Sequence, residues 1–150
     1  MAHTFTNLLV HVVFSTKDRV PTLDSELKKR LFPYIGGIIR ELGGTALLIN
    51  GPTDHIHILA LLPAKVAVSD VLAKAKANSS GWVHREFPEK RTFAWQRGYS
   101  AFSVSHSQKK SVLDYIANQE EHHRKVSFKE ELILFLKKNG IEYDERYIFE

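Results

Sequence analysis

Apolar positions along the chain change period several times, and each change predicts an element. Leu8 to Phe14 reads LLVHVVF, a short β-branched run, which predicts a buried strand. Leu27, Leu31, Ile35, Ile38 and Leu42 follow at helical spacing, predicting a helix over Glu26 to Leu42 capped by Asp24 or Ser25. Pro33 and Gly36-Gly37 weaken its middle, and Gly43-Gly44 ends it. Thr45 to Ile49 and His55 to Leu62 read as strands around a Gly51-Pro52-Thr53-Asp54 turn, hence a hairpin. Ser69 is the expected cap of a helix from Asp70 into the 80s. Phe93 to Ser105 reads as a strand interrupted near Arg97-Gly98, and Ser107 as the cap of a helix from Gln108 to His123. Ser127-Phe128-Lys129-Glu130 is a capping-box pattern that opens a last helix ending at Asn139-Gly140.

The order is βαββαβ followed by two helices. It predicts an α+β fold of the ferredoxin-like, RRM-like kind: an antiparallel sheet, helices on one face, and C-terminal helices added. The 150 residues fit one domain spanning 1–150, and 43% hydrophobic with 25% charged residues is ordinary for a globular protein. The absence of cysteine excludes disulfides, thiolate metal sites and cysteine catalysis. No basic patch precedes an apolar run at the N-terminus, and no apolar stretch reaches the ~20 residues that span a bilayer. The expectation is a soluble cytoplasmic protein without a membrane partner.

Charge refines this picture more than composition does. Residues 74–125 hold 10 basic and 5 acidic residues, whereas 126–150 hold 4 and 6. Trp82, Phe93, Trp95, Tyr99 and Phe102 are interleaved with those basic residues. Cations that pair with phosphates, mixed with rings that stack on bases, suit nucleic acid; a solvated surface over core aromatics has the same composition.

Two patterns carry chemistry. His55 and His57 lie two apart on a strand, so both imidazoles share one face and Ile56 takes the other. Such a pair can hold a divalent ion with positions left open for substrate, or can stand unliganded. On the helix from Gln108, the stripe Val112, Leu113, Ile116 and Ala117 faces the core, while Tyr115 and Gln119 lie about 40° apart on another face. Gln108, Ser111 and His122 share that face. A Gln119 carbonyl oxygen could join the two histidines, and a tyrosine hydroxyl beside a metal-bound phosphate is a candidate nucleophile. A surface tyrosine packed on a neighbouring element fits the same spacing.

Together these residues resemble the single-tyrosine HUH transposases of the smallest bacterial insertion sequences. His55-Ile56-His57 matches the histidine pair around an apolar residue, and Tyr115 to Gln119 matches the family's Tyr-x-x-x-Gln. HVVFSTK (His11 to Lys17), KANSSGW (Lys76 to Trp82), WQRGYSAFSVS (Trp95 to Ser105), NQEEHHRKVSFKEE (Asn118 to Glu131) and NGIEYDERY (Asn139 to Tyr147) also look like the family.

The resemblance implies Tyr115 as nucleophile and His55, His57 and Gln119 as ligands of Mg²⁺ or Mn²⁺. It implies cleavage and rejoining of single-stranded DNA through a 5′-phosphotyrosine, with recognition of DNA hairpins. It also implies a homodimer in which the tyrosine helix of one subunit completes the other's site in trans. Lys109, Lys110, Arg97 and Lys74 are the expected DNA contacts; the first two oppose the dipole of their helix, which favours a functional reason for them. Asp54, His122 and His123 read as a turn capper and solvated helix-end residues. Three other readings remain: a domesticated relative processing dispersed palindromes, a non-catalytic nucleic-acid-binding module of the same topology, and a histidine-dependent nucleotide hydrolase. The last is disfavoured by Leu59, where a third alternating histidine would stand.

Overall fold

The computed structural model describes residues 2–150. Its sheet has four strands: β1 (Leu8–Ser15), β2 (Thr45–Asn50), β3 (His55–Leu62) and β4 (Ser100–Ser103), in the order β2-β3-β1-β4. Every neighbouring pair is antiparallel. This is the split βαβ arrangement expected from the order of elements. Central β1 explains its unbroken apolar run, because both of its faces are covered.

One face carries Val12, Phe14, Ile56, Ile58, Ala60 and Leu62 into the main core. Helices α1 (Ser25–Glu41) and α2 (Val68–Glu86) close that core with Leu27, Leu31, Ile35, Val71, Leu72 and Val83. Burying each of these large side chains contributes about 1.5–3 kcal/mol. Asp24 caps α1, its Oδ1 accepting from the Leu27 amide at 2.9 Å.

The opposite face carries Leu9, His11, Val13, His55, His57 and Leu59, all buried. Three further helices cover it: α3 (Lys109–Ala117), α4 (Gln119–His122) and α5 (Phe128–Lys138). Ile116 packs on Leu9 and Leu59, while Phe128, Leu132 and Leu136 pack with Val13 and Phe102. The two crossover helices thus share one face, as expected, and the added C-terminal helices cover the other. Leu9, Val13 and Leu59 would otherwise lie in water, and the C-terminal helices remove them from it.

Several local expectations are corrected. Helix α2 begins at Val68 after Ala67, with no side-chain cap, so Ser69 is already in the first turn. Of the strand expected over Phe93 to Ser105, only Ser100–Ser103 pairs as a strand; Trp95 makes one bridge to Thr16. Ser107 does not cap α3: it lies in a 3-10 turn (His106–Gln108), bonded to Ser105 Oγ at 3.1 Å. The helix expected from Gln108 to His123 breaks at Asn118 (φ −100°, ψ 23°). The break is stabilised by two amides. Asn118 Nδ2 donates to the Asp114 carbonyl, and Asn50 Nδ2, at the end of β2, donates to the Ile116 carbonyl at 2.9 Å.

Glycine is required at one place that bears on the site. A Cβ at Gly51 would collide with the carbonyl of His55, so the β2–β3 turn sets the start of β3 only with glycine there. Asn50 next to it anchors the C-terminus of α3. Asn50→Ala is expected to cost about 1 kcal/mol. Amide hydrogen exchange should speed up in residues 113–118 while the α1 and α2 amides stay protected.

Candidate active site

The register of the sheet assembles the site. Cα pairing sets His55 opposite Ser15 and His57 opposite Val13, with His11 opposite Leu59. His11, one step along the same face, reaches diagonally across. Its Nε2 meets His57 Nδ1 at 2.8 Å. On the other histidine, Nδ1 meets Asp54 Oδ1 at 2.7 Å, and the ring stacks on Phe128 at 3.9 Å. Both imidazoles are thus held at Nδ1, and both Nε2 atoms point to one place.

That place is filled by Glu131 of α5, only 2% exposed. Its Oε1 lies 3.0 Å from His57 Nε2, 3.2 Å from His123 Nε2 and 3.3 Å from His55 Nε2. The other oxygen accepts a hydrogen bond from the Tyr115 hydroxyl and lies 3.1 Å from His122 Nε2. Gln119 Nε2 sits 3.4 Å from it, and Gln119 Oε1 is 2.9 Å from His123 Nε2. One carboxylate therefore touches the nucleophile candidate on one side and three imidazoles on the other.

The structure brings together His55, His57, Tyr115 and Gln119, the four residues the sequence proposes for the centre. Gln119 lies at its margin, turned to His123. His122 and His123 point into the site and are not solvated helix-end residues; the break at Asn118 rotates α4 inward. Asp54 orients His55 as well as ending the turn. Lys109 and Lys110 begin α3 on the histidine side of the sheet, with Lys110 ion-paired to Asp114 at 3.2 Å. Lys74 is exposed on α2, which covers the opposite face. Arg97 is exposed beside the same helix, its carbonyl accepting from Lys76 Nζ at 2.9 Å.

Sequence reasoning missed Glu131, His123 and His11. A signal existed for Glu131: it interrupts the apolar stripe Phe128, Leu132, Phe135 and Leu136, where a carboxylate is buried only with partners. His11 is likewise a polar residue inside an otherwise apolar strand.

Burial and the neighbouring charge of His57 lower the His11 pKa to about 3, with Glu131 opposing. Burial lowers His57 to about 4, although Glu131 pulls the other way. At His55 burial also acts downward, but Asp54 and Glu131 outweigh it and the pKa is raised. Burial alone would raise Glu131, yet the imidazoles of His123, His55 and His57 hold it well below the carboxylate range. Burial and then Glu131 push the Tyr115 phenol up, so it rests protonated.

His55, His57, His123 and Glu131 each offer a ligand atom, all within 4.8 Å of one another. Three imidazole nitrogens around one carboxylate oxygen leave lone pairs facing lone pairs unless protons or a cation lie between them. The donor set, nitrogen with one carboxylate and a neighbouring amide oxygen, fits a divalent transition-type ion.

The sequence profile of the family described as "Transposase IS200 like" matches residues 4–119. The chain belongs to that family. The transposase of insertion sequence element IS200 from Salmonella typhimurium is 31% identical over 131 residues, covering 81% of this chain and 82% of that protein. The Salmonella typhi transposase matches over the same length with the same identity. Among solved structures, a Deinococcus radiodurans chain assigned as a transposase superposes with a TM-score of 0.65 at 22% identity, covering 79% of this chain and 95% of that one. A REP-associated tyrosine transposase bound to a REP hairpin superposes with a TM-score of 0.63 at 14% identity, covering 84% and 74%. Both likenesses concern the fold. As a family member the chain is a DNA transposase. No described helix is long and apolar enough to cross a membrane.

The site predicts a pH response of the metal-free chain. His11 and His57 bind protons less readily folded than unfolded, so their contribution to stability falls as pH drops from the ordinary 6.5 towards about 4. His55 has the opposite sign: its contribution is full at low pH and is lost as pH rises through its raised value. Thermal melts should therefore fall between pH 6.5 and 4, and His11→Gln should flatten that slope. Glu131→Gln should weaken Mn²⁺ binding at least tenfold in calorimetry, since it removes the one anionic donor of the cluster.

Proposed function

We propose that this transposase cuts and rejoins single-stranded DNA through a 5′-phosphotyrosine on Tyr115, at a site that holds Mg²⁺ or Mn²⁺. What carries the reading is the shared carboxylate: Glu131 joins the Tyr115 hydroxyl to the histidine cluster, so nucleophile and cation-holding groups are adjacent. In the first step the Tyr115 oxygen bonds to phosphorus and the bond to the 3′-oxygen breaks. That oxygen leaves with the electron pair and takes up a proton, while the phenol proton is given up. In the second step a 3′-hydroxyl attacks the phosphotyrosine ester and releases Tyr115. One ester replaces another each time, so no nucleotide hydrolysis is needed.

His55, His57, His123 and Glu131 would hold the ion, with Gln119 beside them. The bound cation supplies Lewis-acid polarisation of the phosphate. Imidazole donors suit Mn²⁺ better than Mg²⁺. The protein's own part is positioning: Asp54 and His11 fix the two ring orientations, Phe128 covers His55, and burial excludes water.

Hairpin recognition is part of the proposal, supported by the basic, aromatic middle of the chain and by the hairpin held by the REP-associated relative. Lys109 and Lys110 would meet the strand near Tyr115. Lys74 and Arg97 lie beside α2, on the other side of the sheet, and would meet a different stretch of the DNA. The homodimer with sites completed in trans is also proposed. On that reading the contact of Tyr115 with its own chain's Glu131 is one of two placements of α3, the one in which α3 and α5 face each other. Helix α3 would swing about the turn at His106–Gln108 and the break at Asn118.

A labelled single-stranded hairpin with flanks should give a covalent protein–DNA adduct with Mg²⁺ or Mn²⁺, and none with EDTA or with Tyr115→Phe. An adduct surviving in Tyr115→Phe would sink the nucleophile; binding indifferent to chelator and to loss of both histidines, with no adduct, would favour a non-catalytic module. Mixing Tyr115→Phe with His57→Ala chains should restore cleavage if sites form in trans, and a silent mixture would overturn that part alone.

A further inference from the structure

Helices α3 and α5 flank a cleft of about 370 Å³ that opens on the Tyr115 hydroxyl. Its walls are two matching stripes. Gln108, Ser111 and Tyr115 run from the turn before α3 along that helix, and Glu131, Leu134 and Lys138 along α5, the ends of each stripe seven positions apart. At 1.5 Å per residue the groove is about 10 Å long. The reactive pair Tyr115 and Glu131 stands at one end, and Gln108 with Lys138 at the other. Between them the wall is apolar except for the Ser111 hydroxyl, and Leu134 is 63% exposed although it sits on a well-packed helix. A leucine so placed gains nothing from the fold.

Resting on the transposase reading above, we propose that this cleft is a subsite for the one nucleotide adjoining the phosphate that Tyr115 attacks. The volume lies within the ~300–1,000 Å³ of small-molecule sites. The flat apolar wall of Leu134 and its neighbour Phe135 takes the face of a base. The Gln108 amide offers both a donor and an acceptor to the base edge, and the Ser111 hydroxyl either one. The Lys138 ammonium, at the far end, meets the next phosphate along the strand. The nucleotide is thereby held at both ends, and the strand enters the reactive point in one direction only. The cleft would also contribute to choosing the base beside the cut, because a Gln amide and a hydroxyl distinguish base edges by their hydrogen-bonding pattern.

The four deoxynucleoside 5′-monophosphates are the probes, titrated at millimolar concentration into the ¹⁵N-labelled full chain. Amide shifts should concentrate at Gln108, Ser111, Leu134 and Lys138, with one nucleotide binding more tightly than the others. Leu134→Asp and Lys138→Glu, both at exposed positions, should weaken that nucleotide at least tenfold while circular dichroism stays unchanged. Absence of shifts, shifts confined to other surfaces, or equal affinity in both variants would overturn the subsite. The adduct assay separates the two readings. Adduct formation without nucleotide in the cleft removes the subsite and leaves the nuclease chemistry; cleft binding with no adduct removes the chemistry and leaves a nucleotide-binding groove.

Discussion

A buried carboxylate among imidazoles is the constraint on which the far side of this sheet depends. Glu131 is taken out of water by α5, and a carboxylate there without partners would be costly. His55, His57 and His123 on one oxygen and Tyr115 on the other compensate it. Removing one partner from such a buried charged cluster costs about 3–5 kcal/mol. The contact therefore fixes where α5 lies and how α4 must turn after Asn118. It also decides which imidazole nitrogens face inward. The aromatic packing follows: Phe128 lies flat on His55, and Phe135 stacks on Phe102 at 5.4 Å while meeting His11 edge-on.

The same contact acts on the proposed nucleophile. Tyr115 rests as a phenol, held so first by burial and then by the anion beside it. A cation held by the imidazole nitrogens of the three histidines around Glu131 would share the carboxylate charge. Of these, His57 is neutral through most of the accessible pH range, as a ligand nitrogen must be.

The elements that position the site were legible in the sequence where one periodicity acts alone. Strands β1 to β3, helix α1 and the capping box of α5 follow from local pattern. The strand pair His55 and His57 follows from the period of two, and the helix face of Tyr115 and Gln119 from that of 3.6. What escaped is non-local. The break at Asn118 depends on Asn50, which is 66 residues from Ile116 in the chain. His123 reads as solvated until that break turns it inward. Glu131, on the apolar stripe of α5, finds its partners only once that helix is laid on the histidine face of the sheet. The two serines expected as caps failed for a different reason: Ser69 already lies in the first turn of α2 and Ser107 in the 3-10 turn ahead of α3, so neither stands where a cap does.

The placement of α5 has a consequence for the timing of assembly. His57 and Glu131 are 74 residues apart, and the helix that closes the histidine face is the last in the chain. Chains emerge from the ribosome N-terminus first. The ferredoxin-like core with α1 and α2 can therefore form while the histidine face is still open. Tyr115 then waits without its carboxylate. The histidine site of a newly made chain is completed only once residues 128–138 have emerged and docked.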